Sequence, residues 1–337
     1  MQASDRGSDE DLPGGSRLGF IGTGNLGSPI AVRLLEAGYE VVVHDADRDA
    51  ASACIAAGAR WARSPAAVAA SAETVITCLP RVDIVGEVVA GVGGVLSSLG
   101  SGGCWIDMST NDAGEMCRLG SIAHSLGVGA LEAPVTGGVH RAAAGELTVL
   151  VGGSEATYAR HQRLLASIGS KVIYLGALGQ ASKMKVITNM LAFVHLVAAG
   201  EALMLAARAG IDLRDAFESV RSSSGNSFVH ETESQVILAG TYDIGFTLDL
   251  ACKDLSLVHR LADDLGVPTE IAALVEQRFV AARDRYGGDA WSPHVVQLLE
   301  DEVGIALRSP GFPGSLVPGL GGAEATGRGK DRREGAA

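Results

Sequence analysis

The segment Gly22-Thr23-Gly24-Asn25-Leu26-Gly27 constrains this chain most. It follows a short apolar run, Arg17–Ile21, and opens a helical pattern over Asn25–Ala37 that stops at Gly38. Glycines at that spacing let the chain turn tightly and let the helix lie close to the strand. A strand fed straight into a helix leads on to a second strand parallel to the first. The continuation fits. Val41-Val42-Val43 is an apolar strand closed by His44-Asp45, and Arg48–Ala57 is helical. Thr74–Leu79 is a strand stopped by Pro80, Cys104–Asp107 is another, Asp112–Ser125 is a helix, and a strand follows near Val128–Glu132. Leu147–Val151 and Lys171–Leu175 are later strands, with a helix near Glu155–Ile168 between them. The alternation predicts an α/β fold with a largely parallel, doubly wound sheet.

From Gly179 onward only helical signals remain. The first helical segment runs for roughly 30 residues, or about 45 Å if unbroken. Its most apolar part, Met190–Ala207, is interrupted by His195, Gly200 and Glu201, so it reads as a buried helix rather than a membrane span. Such a helix is to be covered by other helices or by a second subunit. The predicted organisation is a disordered tail over 1–15, a sheet domain over 16–178, an all-helical domain over 179–308, and a second disordered tail over 309–337.

With 337 residues and 47 % hydrophobic content, the chain can build two cores. A formal net charge of −12 argues against nucleic acid or an acidic membrane surface as partner, but not against a small anion held locally. Cys54, Cys78, Cys104, Cys117 and Cys252 are scattered and contain no CxxC spacing. They read as reduced thiols of a cytoplasmic protein, not as disulfides or a zinc site, and no metal ligands are assigned. Met1–Gly15 lacks the apolar core of a signal peptide.

A strand–glycine turn–helix unit is also the arrangement that seats a dinucleotide. Gly22 makes the turn, Gly24 admits the pyrophosphate to the backbone, and Gly27 brings helix and strand together. Asn25 and Leu26 share that turn, while Leu79 and Pro80, at the end of a later strand, complete the candidate cofactor contacts. Asp45 ends the next strand where a ribose-binding acid is expected; it would accept both ribose hydroxyls and repel a 2′-phosphate. NAD is therefore favoured, and Arg48 keeps NADP open. Asp45 as a simple helix cap is the plainer alternative.

The chemistry points to Lys185 and Asn189, four residues apart on one helix face. Two polar groups on an apolar stripe need partners or a ligand. Desolvation would lower the lysine pKa and suit it to acid–base work. Lys183 cannot point the same way and reads as a surface bystander. Two further clusters follow strand ends, where doubly wound sheets bind ligands: Asp107-Met108-Ser109-Thr110 and Glu132-Ala133-Pro134-Val135-Thr136-Gly137-Gly138. With Ser109, Thr136 and the two glycine N–H groups, they could hold a carboxylate. Lys253-Asp254-Leu255, taken alone, reads as a solvated helix face.

In this order the motifs resemble the β-hydroxyacid dehydrogenase family over about Arg17 to Leu307. The resemblance implies a Rossmann domain followed by a helical domain, assembled as a homodimer or homotetramer. It implies hydride transfer between NAD(P) and a small carboxylate-bearing substrate, with Lys185 as the catalytic lysine. Asn189 would orient substrate beside the lysine. Ser109, Thr110, Thr136, Gly137 and Gly138 would bind substrate, and Lys253 would lie near substrate and nicotinamide, with Ser109 also on the cofactor side. Several residues depart from the commoner pattern: Thr188 in place of a first asparagine, Thr136 for serine, Glu132 for aspartate, Ala113 for proline, and the larger His140 and Arg141 where small residues are usual. The last two read as solvated, with recognition of a second acidic group as the alternative. An imine reductase on the same scaffold and a catalytically silent cofactor-binding protein are the rival functions; the presence of Lys185 weighs against the first.

Overall fold

The computed structural model describes residues 16–316, so the tails expected over 1–15 and beyond 316 lie outside the described residues. The first half of the sheet domain runs β1 (Arg17–Ile21), α1 (Gly27–Glu36), β2 (Glu40–His44), α2 (Ser52–Ala56), β3 (Arg60–Trp61) and α3 (Pro65–Ala69). It continues through β4 (Thr74–Thr77), α4 (Val82–Ala90), α5 (Val95–Ser98), β5 (Cys104–Asp107), α6 (Ala113–Ser125) and β6 (Gly129–Glu132). A last group, β7 (Val135–Thr136), α7 (Gly138–Ala144), β8 (Leu147–Gly153), α8 (Glu155–Ile168) and β9 (Gly169–Tyr174), completes the sheet.

Strand order is β3-β2-β1-β4-β5-β6-β8-β7, with β9 beside β8. Strands β1 to β6 pair in parallel. The order reverses between β1 and β4, the point where open α/β sheets leave a crevice at their carboxyl ends. Strand side chains split with a period of two between layers. Leu18, Phe20, Val41 and Val43 enter one apolar cluster, while Ile21, Val42, Val75 and Trp105 enter the other. Registers place Ile21, Thr77, Asp107 and Glu132 in one row across four strands. The loops that carry chemistry leave the sheet just beyond that row.

One feature departs from the parallel expectation. Strand β8 runs antiparallel to both β6 and β7. After β6, Pro134 breaks the ladder and the chain doubles back through a two-residue strand and the seven-residue α7. Segments that short carry no readable periodicity.

The second domain contains α9 (Gln180–Arg208), α10 (Leu213–Arg221), α11 (Phe228–Ala239), α12 (Leu248–Leu265), α13 (Glu270–Tyr286) and α14 (His294–Val303). Helix α9 is long and apolar enough to cross a bilayer, and here it forms the axis against which the other five pack. Its Gly200 permits that closeness: a Cβ there would stand 2.6 Å from a Val296 methyl of α14. Phe193, Leu203, Phe217, Ile237, Leu255 and Phe279 share the core.

The segment from 309 on, expected as a tail, is part of this domain as far as 316. Ser309 N–H donates to Leu238 O at 3.0 Å, and Thr241 Oγ1 donates to Gly314 O at 2.7 Å. Phe312 lies edge-on to Phe217 and beneath the Arg214 guanidinium. The run of glycine and proline hid a chain whose polar groups are satisfied by the α10 and α11 regions.

Candidate active site

The glycine turn after β1 is shaped by its neighbours. At Gly22 (φ +95°) a Cβ would stand 2.2 Å from Cys78 O, and at Gly27 one would stand 1.9 Å from Gly22 O. Both positions therefore exclude a side chain. Gly24 is exposed, with nothing within 4 Å of its would-be Cβ. That closed–open–closed pattern leaves space beside the backbone at the start of α1, and it fits the pyrophosphate of NAD(P). Leu79 packs against Gly22, and Pro80 stands exposed next to it. Asn25 reaches across the domain boundary, its Nδ2 donating to Gly245 O at 3.2 Å. Leu26 packs against the sheet core. Asp45 braces the turn: Oδ2 accepts from Thr23 N–H at 2.6 Å, and Oδ1 accepts from Asp47 N–H at 2.9 Å. Arg48 leans toward the Trp61 ring, 5.9 Å from its centroid.

Beyond β4 and β5 the buried Asp107 acts as a hub. It accepts from Thr77 Oγ1 (2.8 Å), Ser109 Oγ (2.7 Å) and Asn111 Nδ2 (3.0 Å). Burial pushes its carboxyl up, and these hydrogen bonds pull it back down. Ser109 also accepts from Leu79 N–H at 2.9 Å. Its hydroxyl proton goes to Asp107. Ser109 here ties the β4 and β5 loops together.

Glu132, at the end of β6, reaches the start of α9. It accepts from Ala181 N–H at 2.8 Å, from Ser182 N–H at 3.1 Å and from the Ser182 hydroxyl. An acid here satisfies orphan helix donors and sits at the positive end of the helix dipole. Burial still raises its pKa, with those hydrogen bonds opposing.

One turn further along α9 is Lys185, 8 % exposed, while Lys183 lines a separate cavity of about 310 Å³ between α6, α9 and α12. Desolvation brings the Lys185 amine down to about 8; the Asp254 carboxylate pulls upward and Lys253 pushes further down. Asn189, on the same face, donates Nδ2 to Asp254 Oδ2 at 2.6 Å. One of its amide protons is therefore spent on an acid, a partner the spacing alone did not suggest. Lys253 is no solvated residue. Its Nζ donates to Thr110 O and lies 2.9 Å from Asp254 Oδ1. It also forms part of the wall of a cleft of about 600 Å³ between α4, α6 and α12.

Thr136 ends β7, half-buried, and Gly137 and Gly138 follow at φ +130° and +80°, a turn that other residues rarely adopt. Thr188 turns its hydroxyl back to Lys185 O. His140 and Arg141, expected in solvent, both lie against the Phe228 ring of α11.

Helices α9 and α12 thus bring together a dehydrated amine, Asn189 and a buried acid, and Lys253 ties them to the Thr110 loop at the sheet end. Sequence reasoning missed Asp254, although it stands inside the quoted Lys253-Asp254-Leu255. It missed the Glu132 contact with α9 because 49 residues separate the partners. No local signal marks such a pair.

Comparison with known proteins agrees with this arrangement. Residues 17–176 match the model for the NAD binding domain of 6-phosphogluconate dehydrogenase, and 179–299 match that for the NAD-binding of NADP-dependent 3-hydroxyisobutyrate dehydrogenase. A 2-(hydroxymethyl)glutarate dehydrogenase from Eubacterium barkeri is 32 % identical over 86 % of this chain and 97 % of its own. The mitochondrial 3-hydroxyisobutyrate dehydrogenase of Mus musculus is 35 % identical, covering 77 % and 80 %. The crystal structure of a 3-hydroxyisobutyrate dehydrogenase from Salmonella typhimurium aligns with a TM-score of 0.78 at 30 % identity, over 84 % of this chain and 99 % of that one. An imine reductase from Pseudomonas sp. stands further off, with a TM-score of 0.57 and 19 % identity, and shares the fold.

Proposed function

This chain belongs to the β-hydroxyacid dehydrogenase family and is an NAD(P)-dependent oxidoreductase of hydroxy acids; we propose that it interconverts a β-hydroxy acid and its semialdehyde, with Lys185 as general acid and base. The observation that carries the assignment is the buried Lys185 amine, held near neutrality on the helix face that also bears Asn189. Bound NAD(P) supplies the hydride acceptor or donor. In oxidation, neutral Lys185 takes the substrate hydroxyl proton; in reduction, the ammonium returns it to the nascent alkoxide. A pKa of about 8 leaves both forms accessible near neutral pH. Asp254 stabilises the ammonium form and, through Asn189, ties α12 to α9. Thr136 and the Gly137–Gly138 turn offer hydroxyl and N–H donors to the substrate carboxylate. Ser109 fixes the β4 and β5 loops to each other through Asp107 and Leu79, and Lys253 adds a positive charge at the Thr110 loop. Seating the carboxylate in this way turns a bimolecular encounter into an oriented one.

Asp45, just past the end of β2, supports NAD over NADP, since a ribose-binding carboxylate there repels a 2′-phosphate. A homodimer or homotetramer is part of the same reading: α9 leaves Ile187 and Leu191 exposed, and Leu265, Ile271 and Leu274 are exposed on α12 and α13. The five free thiols support a reducing, cytoplasmic setting.

The test is a cofactor-reduction screen of the purified protein over 3-hydroxyisobutyrate, serine, glycerate and 4-hydroxybutyrate, with NAD+ and with NADP+. Turnover that Lys185→Ala abolishes supports the assignment. Wild-type rates in that variant, or no turnover of any hydroxy acid, overturn it.

A further inference from the structure

We propose that Arg141, with His140 beside it, reads a second negative group on the substrate, so that the preferred substrate is a β-hydroxy acid bearing a distal carboxylate. This rests on the reaction assigned above and narrows its substrate class.

Both side chains fold back over the two-glycine turn. A Cβ on Gly137 would stand 2.9 Å from Arg141 Cδ, and a Cβ on Gly138 would stand 3.3 Å from His140 Cε1 and Nδ1. They therefore stand beside the turn to which the first carboxylate is assigned above. Across the domain boundary, Phe228 opens α11 and remains 45 % exposed. The Arg141 guanidinium carbon lies 4.6 Å from its ring centroid, and the His140 ring stacks on it at 6.2 Å. A guanidinium laid on an aromatic face is held in orientation, yet its N–H donors point outward along its edge.

Among the described residues those donors meet no carboxylate at ion-pair distance; Glu146 lies near enough to act on His140 only through space. Arg118 and Arg278 each grip a glutamate with two hydrogen bonds, whereas Arg141 forms no ion pair among the described residues. Burial and the neighbouring Arg141 hold His140 below its ordinary pKa, so near neutral pH it offers one N–H rather than a second charge. A fixed, unpaired fork beside a carboxylate seat suits a planar carboxylate a short spacer away. A domain clasp alone would need only an apolar side chain against Phe228.

The test compares 2-(hydroxymethyl)butanedioate with 2-(hydroxymethyl)butanoate, which matches it in length but lacks the second charge. In the wild-type enzyme kcat/KM for the diacid should exceed that for the monoacid by roughly tenfold or more, the scale of a charge-assisted hydrogen-bond pair. Arg141→Gln should collapse that ratio through KM, and Arg141→Lys should restore part of it. A purely structural role would lower both substrates together and leave the ratio unchanged. A ratio near one in the wild type, or one that Arg141→Gln leaves intact while the monoacid is still turned over, refutes the inference but leaves the reaction assignment standing. Failure to turn over either acid, or any other hydroxy acid, removes the assignment itself.

Discussion

Replacing Lys185 with methionine separates the two consequences of burying an amine. Methionine keeps most of the length and apolar contact and removes the charge. Bringing a lysine from its usual 10.5 to about 8 corresponds to roughly 3 kcal/mol of burial cost on the ammonium. The folded-state value lies below the unfolded one, so between the two the unfolded chain binds the extra proton. Wild-type stability should therefore rise as pH climbs from about 8 to 10.5, while the cost is fully felt below about 8. Lys185→Met should be more stable than wild type at pH 7, by up to roughly 3 kcal/mol, and should lack that rise. Oxidation, which needs the neutral amine, should increase through pH 8 in the wild type, and reduction should decline there. In the variant both should fall by roughly 10²–10⁴-fold, with that limb of the profile gone. Urea unfolding followed by tryptophan fluorescence at several pH values, together with pH–rate profiles, measures both effects. Superimposable stability profiles for the two proteins would show that Lys185 is not dehydrated, and a variant that turns over at wild-type rates would show that it is not catalytic.

Asp254→Asn removes the charge that holds the Lys185 pKa up, so the half-point of the oxidation profile should move below about 8 and kcat should drop roughly tenfold or more; a half-point that stays put or rises contradicts the pairing. Glu132→Ala strips the acceptor from Ala181 N–H and Ser182 N–H, and should cost about 1–3 kcal/mol in urea unfolding, with faster hydrogen exchange at those two amides. Gly27→Ala forces a Cβ onto Gly22 O and should destabilise the apo-protein, whereas Gly24→Ala meets open space and should leave its thermal midpoint unchanged while weakening NAD(H) binding. Calorimetric titration of the two variants distinguishes a packing glycine from a ligand-facing one, and equal NADH affinity in Gly24→Ala and wild type would contradict the cradle.

Much of this molecule is legible in its residues, for reasons of range. The β1–α1 turn, the strands flanking it and the long α9 all follow from periodicities and spacings within about thirty residues. Lys185 and Asn189 declare a shared face because a helix repeats locally. What could not be read depends on partners brought together by the fold. Asn189 meets Asp254 from 65 positions away, and Ser109 gives its proton to an acid and accepts from Leu79. The antiparallel β8 and the packing of 309–316 escaped because short or glycine-rich segments have no period, only neighbours. His140 and Arg141 looked like surface residues until an aromatic ring from the other domain was placed against them.

The contact between Glu132 and the first turn of α9 governs how this enzyme can move. One carboxylate terminates the sheet and begins the helix, and Lys185 is a single turn above it. Any breathing between domains that displaced this joint would leave three donors stranded in a dry interior. The amine must then ride with the sheet and its cofactor cradle. Helix α12 is drawn into the same unit, since its Asp254 accepts from Asn189 of α9 while its Lys253 donates to Thr110 O beyond β5.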